Sequence, residues 1–517
     1  MEELRYPLGI QTFSRIIEGG YAYVDKSMFI PPLIKAATFI FLSRPRRFGK
    51  SLTLSMLHSF FNCERELFKG LAIEEMDVEW VKRPVLHFDF NAEDYSNEKG
   101  LEITLDYCLK QYEKEYGITV AEESFAKRFT ELIKTAERIE GQQPAILVDE
   151  YDKPLLGIED KPELFEKNQS ILKGFFGVLK SMERHIFFAM LTGVARFNKV
   201  SIFSDLNNLR DISLENEFAD ICGWTQEELE KNYSPGIKKL GDRHGISFEE
   251  TIDRLRHFYD GYKFAPYGSR LYNPFSVLNA LAKVEFGKYW FQTGTPTFLA
   301  KRIMKNKLLF PSLNSQWVEQ TELEAVGMND NNPIPLLFQT GYLTIKDSDG
   351  YEMELHFPNE EVETGFAQQL TKLYLPELAD LNGVFGLRKF RLDLRAGKIE
   401  DFMLRLQTMI KDIPYEKHDE QLYQNVIYLL FTLLGTDARM EEHSNKGRTD
   451  LTIRMKDYIY IFEFKYNRSS AEAMNQIHDR DYAGRFAMTE KTIFLIGANF
   501  SKKERGLKDW IIERVDR

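Results

Sequence analysis

Residues 39–54, FIFLSRPRRFGKSLTL, constrain what this chain can fold into more than any other stretch. Four apolar residues (Phe39, Ile40, Phe41, Leu42) read as a short buried strand, broken at Ser43, Arg44 and Pro45. Phe48-Gly49-Lys50-Ser51 then leads into a helical segment from Leu52 to Phe61. Strand, tight loop, Gly-Lys-Ser and helix form the setting that a phosphate-binding loop requires. Backbone N–H groups of such a loop, and of the helix behind it, point at phosphate oxygens. Lys50 is then placed for the β- and γ-phosphates of ATP and the Ser51 hydroxyl for Mg²⁺. Arg46, Arg47, Phe48, Gly49 and Leu52 complete the candidate cradle. One position departs from the pattern, which wants glycine six residues before the lysine and finds Arg44. A basic turn between a buried strand and a helix is the competing reading of these residues alone.

About a hundred residues on, Ala145 to Asp152 (AILVDEYD) reads as an apolar strand ending in carboxylates. Asp149 at the strand tip suits the Mg²⁺ shell, and Glu150 suits polarisation of an attacking water. Taken alone, a buried strand with an acidic exposed end explains it equally well; beside Gly-Lys-Ser the functional reading is favoured. A second strand is expected at 84–90 and a fourth at 186–191, with helices around 98–117 and 122–140 between. The fourth strand runs into Thr192-Gly193-Val194-Ala195-Arg196, where Thr192 can sense a terminal phosphate and Arg196 neutralise its charge. Strands alternating with helices, ligand residues at strand ends, describe a doubly wound α/β sheet over residues 1–215. Before it, residues 19–32 read as a short strand followed by a helix, with Tyr23 and Asp25 as minor candidates.

Residues 216–300 read as a helical lid whose aromatic patches, around 258–264 and 272–275, pack it. Residues 301–408 read as a middle α+β module of winged-helix type, with a strand at 338–345 and a hairpin turn at 347–350. The basic stretch from Phe390 to Lys398 reads as a linker.

From residue 409 the pattern changes. A helix is expected from Asp419 to Leu434, then Gly447-Arg448-Thr449-Asp450 and the strand Tyr458 to Lys465. Period-two geometry puts Glu463 and Lys465 on one face of that strand and Phe462 and Phe464 on the other. Ionisable groups two apart on an apolar strand are costly unless they act or face water. With Asp450, thirteen residues earlier, they offer two carboxylates for Mg²⁺ and a lysine to orient water. The competing reading is a solvent-facing salt bridge on an edge hairpin. Glu420 is a weaker further acid, and Gln476 and Tyr482 can support the site.

Composition excludes some classes. Three cysteines (Cys63, Cys108, Cys222) stand far apart, which argues against a zinc site or a disulfide framework and suits a reducing cytoplasm. The opening MEELRYPLG lacks the features of a signal peptide, and no apolar run approaches a membrane span. A net charge of −11 speaks against wholesale coating of nucleic acid. Residues 411–517, with 18 basic and 18 acidic side chains, are neutral and can still carry a local basic surface.

With RPRRFGKS, ILVDEYD, LTGVARF, SIFSDLNNL, GRTD and IFEFK in view, the chain resembles bacterial AAA-ATPase-like proteins that carry a C-terminal PD-(D/E)XK nuclease-superfamily domain. The resemblance covers roughly residues 1–280 and 410–510. It implies a P-loop ATPase core over 1–215, a lid over 216–300, a middle module over 301–408 and an α/β restriction-endonuclease-like domain over 409–517. The arginine-rich loop without its first glycine is itself a trait of that family. On the same basis Asp450, Glu463 and Lys465 match the nuclease motif, with Glu420 the helix acid and Gln476 the accessory residue. Tyr482 lies further from Gln476 than the related Q-x-x-x-Y spacing, and Asp205 stands where the family has glycine. The implied function is ATP hydrolysis coupled to Mg²⁺-dependent cleavage of DNA or RNA. The alternative is an ATP-driven switch whose nuclease-like domain grips nucleic acid or a partner without cutting, as in a defence system. Homo-oligomers are expected too, since such ATPases often complete their sites with a neighbour's arginine, although the sequence marks no such residue.

Overall fold

The structure is a computed structural model and describes residues 4–119, 124–158, 161–196, 208–293, 299, 302–303, 306, 308, 310–323, 332–374, 383–411, 420–434, 437–444, 447–486 and 488–515. The Asp205 position lies outside the described residues. The chain forms two compact units, one of residues 1–296 with 315–362 and one of 297–314 with 363–517.

The first unit is built on a parallel sheet of β1 (Phe39–Ser43), β2 (Val85–Asp89), β3 (Ala145–Asp149), β4 (Phe188–Gly193) and β5 (Arg210–Asp211). Its order is β2-β3-β4-β1-β5. The three central strands, β3, β4 and β1, are buried along their whole length, as a sheet covered on both faces demands. That order places β4 between the strand feeding the Gly-Lys-Ser loop and the strand ending in Asp149, so three strand ends meet at one edge.

Three helices of the same unit are set by strong caps. Gln226–His244 and Phe248–Tyr259 each open on a capping box, Thr225 with Glu228 and Ser247 with Glu250. Pro274–Lys283 opens on Asn273, whose side chain accepts from Ser276 N. Their apolar faces share a core around Tyr233, Leu240, Leu255, Tyr259, Tyr272 and Leu281. The aromatic patches of the sequence thus become packing.

A small antiparallel sheet completes the unit, β6 (Gln316–Glu319), β7 (Thr344–Ser348) and β8 (Glu352–His356), in order β6-β8-β7. Between β6 and β7 lie short helices at Gln320–Leu323 and Ile334–Gln339. Three local expectations change here and nearby. The stretch 338–345 is not one strand: Phe338 and Gln339 end a wholly buried helix, and the strand begins only at Thr344. A short apolar run fits either structure by periodicity, and Pro335 in the first helical turn together with Gly341 at φ 86° decides it. Residues 21–24 form no strand, and the chain passes from them into a 3-10 turn, Ser27–Phe29, and the helix Ile30–Ala36. In the second unit, the stretch Phe390–Lys398 is no linker, because the helix Gly383–Arg395 runs through it and buries Phe390 and Leu394 four residues apart.

The second unit carries a mixed sheet of β9 (Asp437–Ser444), β10 (Gly447–Arg454), β11 (Tyr458–Tyr466), β12 (Thr492–Ser501) and β13 (Gly506–Val515), ordered β13-β12-β11-β10-β9. Only β11 and β12 run parallel, joined through the crossover helix Ser470–Asp479. That helix lies so close to β12 that a Cβ added at Gly497 would meet Met474 N and Ser470 O at 2.7 Å. The helices Ile399–Lys411 and Glu420–Leu434 belong to the same unit. Among the described residues no helix is long and apolar enough to cross a membrane.

Candidate functional site

In the first unit β1 ends at Ser43, a loop follows, and the helix Lys50–Phe61 begins. Arg47 at φ 68° and Gly49 at φ 104° take left-handed backbone conformations within this loop. Alternation of left- and right-handed residues turns successive N–H groups inward and makes an anion nest. Lys50 is buried, and its Nζ donates to the loop carbonyls of Arg44 (3.0 Å) and Pro45 (3.3 Å). The half-buried Ser51 opens onto the same cavity, and its hydroxyl makes no hydrogen bond among the described residues.

Arg44 explains how the loop holds without its glycine. The guanidinium, 1% exposed, turns away from the cavity and donates to the carbonyls of Ser43, Ser213, Phe218 and Ala219 at 2.8–3.4 Å. It also lies 4.4 Å over the Phe264 ring. Burial pulls its pKa down to about 10, with Cys222, Asp211 and Asp220 opposing. From below, Pro45 seats on Gly341, where an added Cβ would meet its ring carbons at 2.6–2.7 Å. Phe48 packs edge-on against Tyr262 and Phe264.

Above the loop is a cavity of about 400 Å³. Its apolar lining includes Tyr23, Val24, Trp224, Tyr233, Phe275 and Leu278. The same cavity is lined by Arg46, Arg47, Lys50, Ser51, Leu52, Glu150 and Lys153. Among the described residues no carboxylate pairs with Arg46, Arg47 or Lys153; Arg47 rests 5.0 Å over the Phe275 ring. Lys26 also faces the cavity but is engaged by Glu228 at 2.6 Å and the Asp220 carbonyl at 2.8 Å. Several unpaired cations against one unpaired carboxylate favour a polyanionic ligand. Of the two minor candidates, Tyr23 lines the cavity, whereas Asp25 accepts from Ser27 N and Ala72 N and caps local turns.

Asp149 is buried at the end of β3 and accepts from Thr192 Oγ1 at 2.8 Å across to β4. Asp152, which sequence reasoning passed over, is fully buried; its Oδ2 accepts from Val194 N (2.9 Å) and Ala195 N (2.6 Å), and Oδ1 has no partner. Burial pushes its pKa up to about 6. The repeated acid in VDEYD was the available signal. Arg196 does not line the cavity: it pairs with Asp211, and its N–H donates to Gln339 Oε1 at 2.7 Å.

The second unit brings its candidates together. Asp450 on β10 accepts from Phe464 N at 2.8 Å, which fixes it beside β11. Glu463 is 1% exposed; its Oε1 accepts from Lys465 Nζ at 2.8 Å, and its Oε2 has no partner. Lys465 Nζ also donates to Gln476 Oε1 at 2.8 Å, and Gln476 Nε2 to the buried Tyr482 hydroxyl at 3.3 Å. The helix between them thus brings Tyr482 to the cluster despite its longer spacing in sequence. Burial, then the Asp450 charge, push the Glu463 pKa up to about 7, with Lys465 opposing. A carboxylate oxygen buried without a partner, beside a second carboxylate, fits a divalent cation. Glu420, the exposed first residue of its helix, does not join them: among the described residues no three His, Cys, Asp or Glu side chains converge as a metal-holding group.

A family model described as a predicted AAA-ATPase matches residues 7–203, and one described as the PD-(D/E)XK nuclease superfamily matches residues 418–510. A protein of Azotobacter chroococcum mcd 1, described as an uncharacterized protein in the vnfD 5' region, is 35% identical over 539 positions, with all of both chains covered.

Proposed function

The chain belongs to the AAA-ATPase-like proteins that carry a C-terminal PD-(D/E)XK nuclease-superfamily domain, and we propose that it hydrolyses ATP in the first unit and cleaves nucleic acid in the second. In this reading the loop N–H groups and Lys50 hold the β- and γ-phosphates, Ser51 and Asp149 hold Mg²⁺, and Glu150 takes the proton of the attacking water. Arg46 and Arg47 bind phosphate, and Thr192 positions Asp149. Residues 216–300 act as a lid on the 1–215 core, 301–408 as a winged-helix-like module and 409–517 as the nuclease domain. Because Ile334–Gln339 is buried throughout, that module does not use it to read nucleic acid.

The observation that carries the cleavage reading is the Asp450, Glu463, Lys465 and Gln476 cluster, with one Glu463 oxygen buried and unsatisfied. Bound Mg²⁺ would polarise the phosphodiester and lower the pKa of its water. Asp450 and Glu463 would hold that ion, Lys465 would orient the attacking water, and Gln476 would hold Lys465. The test is cleavage of single- and double-stranded DNA and RNA, with and without Mg²⁺ and ATP, by the full chain and its Lys50→Ala and Asp450→Ala variants. Cleavage that requires Mg²⁺ and disappears in Asp450→Ala supports the reading; none on any substrate sinks it.

One observation favours a second reading. Two carboxylates and a lysine, with no third acid beside them among the described residues, can hold a cation-bridged phosphate backbone without cutting it. An ATP-driven switch of this kind would bind nucleic acid in a nucleotide-dependent way and release no product.

A further inference from the structure

The turn after β3 sorts its residues by side. Glu150 takes φ 50°, and Lys153 N donates to the Glu150 carbonyl at 3.0 Å, closing a single turn. The two residues between point inward and are fully buried. Tyr151 Oη donates to Ala195 O at 2.9 Å, and Asp152 accepts from Val194 N and Ala195 N, so the turn is clamped to the extension of β4. Glu150 and Lys153 are left on the other side, and both line the cavity with Lys50 and Ser51. Lys153 is half-buried, and its ammonium has no hydrogen bond or ion pair among the described residues, not even to Glu150. A half-buried, unpaired ammonium held by a rigid turn beside a candidate general base is placed to meet charge brought by the ligand.

We propose that Lys153 is a catalytic residue, supplying from within the same chain the positive charge that stabilises the transferring phosphoryl group. This rests on the ATPase half of the function proposed above. In the step, the water oxygen bonds to the γ-phosphorus while the bond from that phosphorus to the β–γ bridging oxygen breaks. ADP leaves with the electron pair, inorganic phosphate is the other product, and the water proton passes to Glu150. Lys153 transfers no proton; it neutralises charge on the terminal oxygens as the bond lengthens. The hydrolytic site is then complete in one chain and needs no arginine from a neighbour.

The experiment measures phosphate release from ATP and Mg²⁺ by the full chain, alongside calorimetric binding of ATP. Lys153→Met is expected to lose about 10²–10³-fold in kcat, while ATP affinity changes by less than about tenfold. Lys153→Arg is expected to recover most of the loss. Turnover per chain should stay constant as protein concentration is raised, and mixing Lys153→Met with Glu150→Gln chains should restore nothing. Parent-like turnover by Lys153→Met overturns the proposal. So does activity regained in the mixture, or a per-chain rate in the parent that climbs with concentration; the second of these uses no variant and holds even if one folds poorly. Were the parent to bind ATP without hydrolysing it, the ATPase reading would fall and take Lys153 with it. A turning-over parent with an indifferent Lys153→Met variant removes the Lys153 role alone.

Discussion

Restoring the glycine that a phosphate loop ordinarily carries, by Arg44→Gly, is expected to weaken the N-terminal unit rather than improve its nucleotide loop. The side chain removed donates to carbonyls at 2.8 Å (Ser213), 2.9 Å (Ser43), 3.0 Å (Phe218) and 3.4 Å (Ala219), and sits on the Phe264 ring. A hydrogen bond from a charged donor contributes about 1.5–3 kcal/mol, and a desolvated cation–π contact about 2 kcal/mol. In the other direction, burial that pulls the pKa from 12.5 to about 10 costs about 3 kcal/mol for the charged form. Glycine also adds unfolded-state freedom worth about 0.5–1 kcal/mol. These terms share one guanidinium and do not add, so the net loss expected is the about 3–5 kcal/mol typical of removing one partner of a buried charged network. In a unit of the size of residues 1–296 with 315–362 it lowers the melting temperature by roughly 4–7 °C. Scanning calorimetry reads that shift, and titration with a fluorescent ATP analogue reads the expected loss of affinity. Arg44→Lys, which keeps charge but not the planar fork, should fall between. An Arg44→Gly protein that melts no lower than the parent, or that binds ATP more tightly, refutes the idea that this arginine braces the loop.

Three further outcomes are expected. Glu361 is buried and accepts from Tyr289 N, Trp290 N and Ser276 Oγ, and burial pushes its pKa up to about 7. Its folded value lies above the ordinary 4.5, so the stability it contributes is complete below that pH and lost as pH rises through about 7. Glu361→Gln should therefore match the parent near pH 4.5 and exceed it by about 1–3 kcal/mol at pH 8 in chemical denaturation; a gap independent of pH would contradict this. Gly193→Ala places a Cβ 2.7 Å from the Tyr151 ring and 2.8 Å from Asp152 Oδ1, and overpacking of this kind costs about 1–3 kcal/mol. Melting should fall and ATP turnover with it, since the clamp on the turn at 150–153 is displaced. Lys465→Ala removes the donor shared by Glu463 and Gln476 and should slow nucleic-acid cleavage by at least about 10²-fold, measured by product release on gels; parent-like cutting would exclude the lysine from the chemistry.

The sheet of the first unit was legible because its evidence is local. Phe39–Leu42 and Ala145–Val148 are continuous apolar runs that can only be covered on both faces, and Gly-Lys-Ser or Asp-Glu comes soon after each. The stretches 338–345 and 390–398 were misjudged for the converse reason. Whether Phe338 lies in a helix or a strand, and whether Phe390 is buried, depends on what packs against them. That Glu463 and Lys465 share one face and meet there was legible from period-two spacing on one strand. Their link to Gln476 and Tyr482 runs through a crossover helix whose distance from the strand no spacing encodes.

Sequence alone determined the chemical inventory: a lysine and serine after a glycine, acids at strand ends, and an Asp, Glu and Lys set in the last hundred residues. It also settled the alternation of strands and helices in the parallel sheet of the first unit, since apolar periodicity and turn residues are properties of neighbouring positions. Tertiary structure alone decided that Arg44 braces the loop, that Arg196 pairs with Asp211 outside the cavity, and that Lys153 faces into it. Each of those outcomes depends on groups distant in the chain, the carbonyls of residues 213–219, the carboxylate of Asp211 and the backbone of residues 194–195. A long side chain takes the direction in which its charge is best solvated or paired, and only the folded chain fixes where those partners stand.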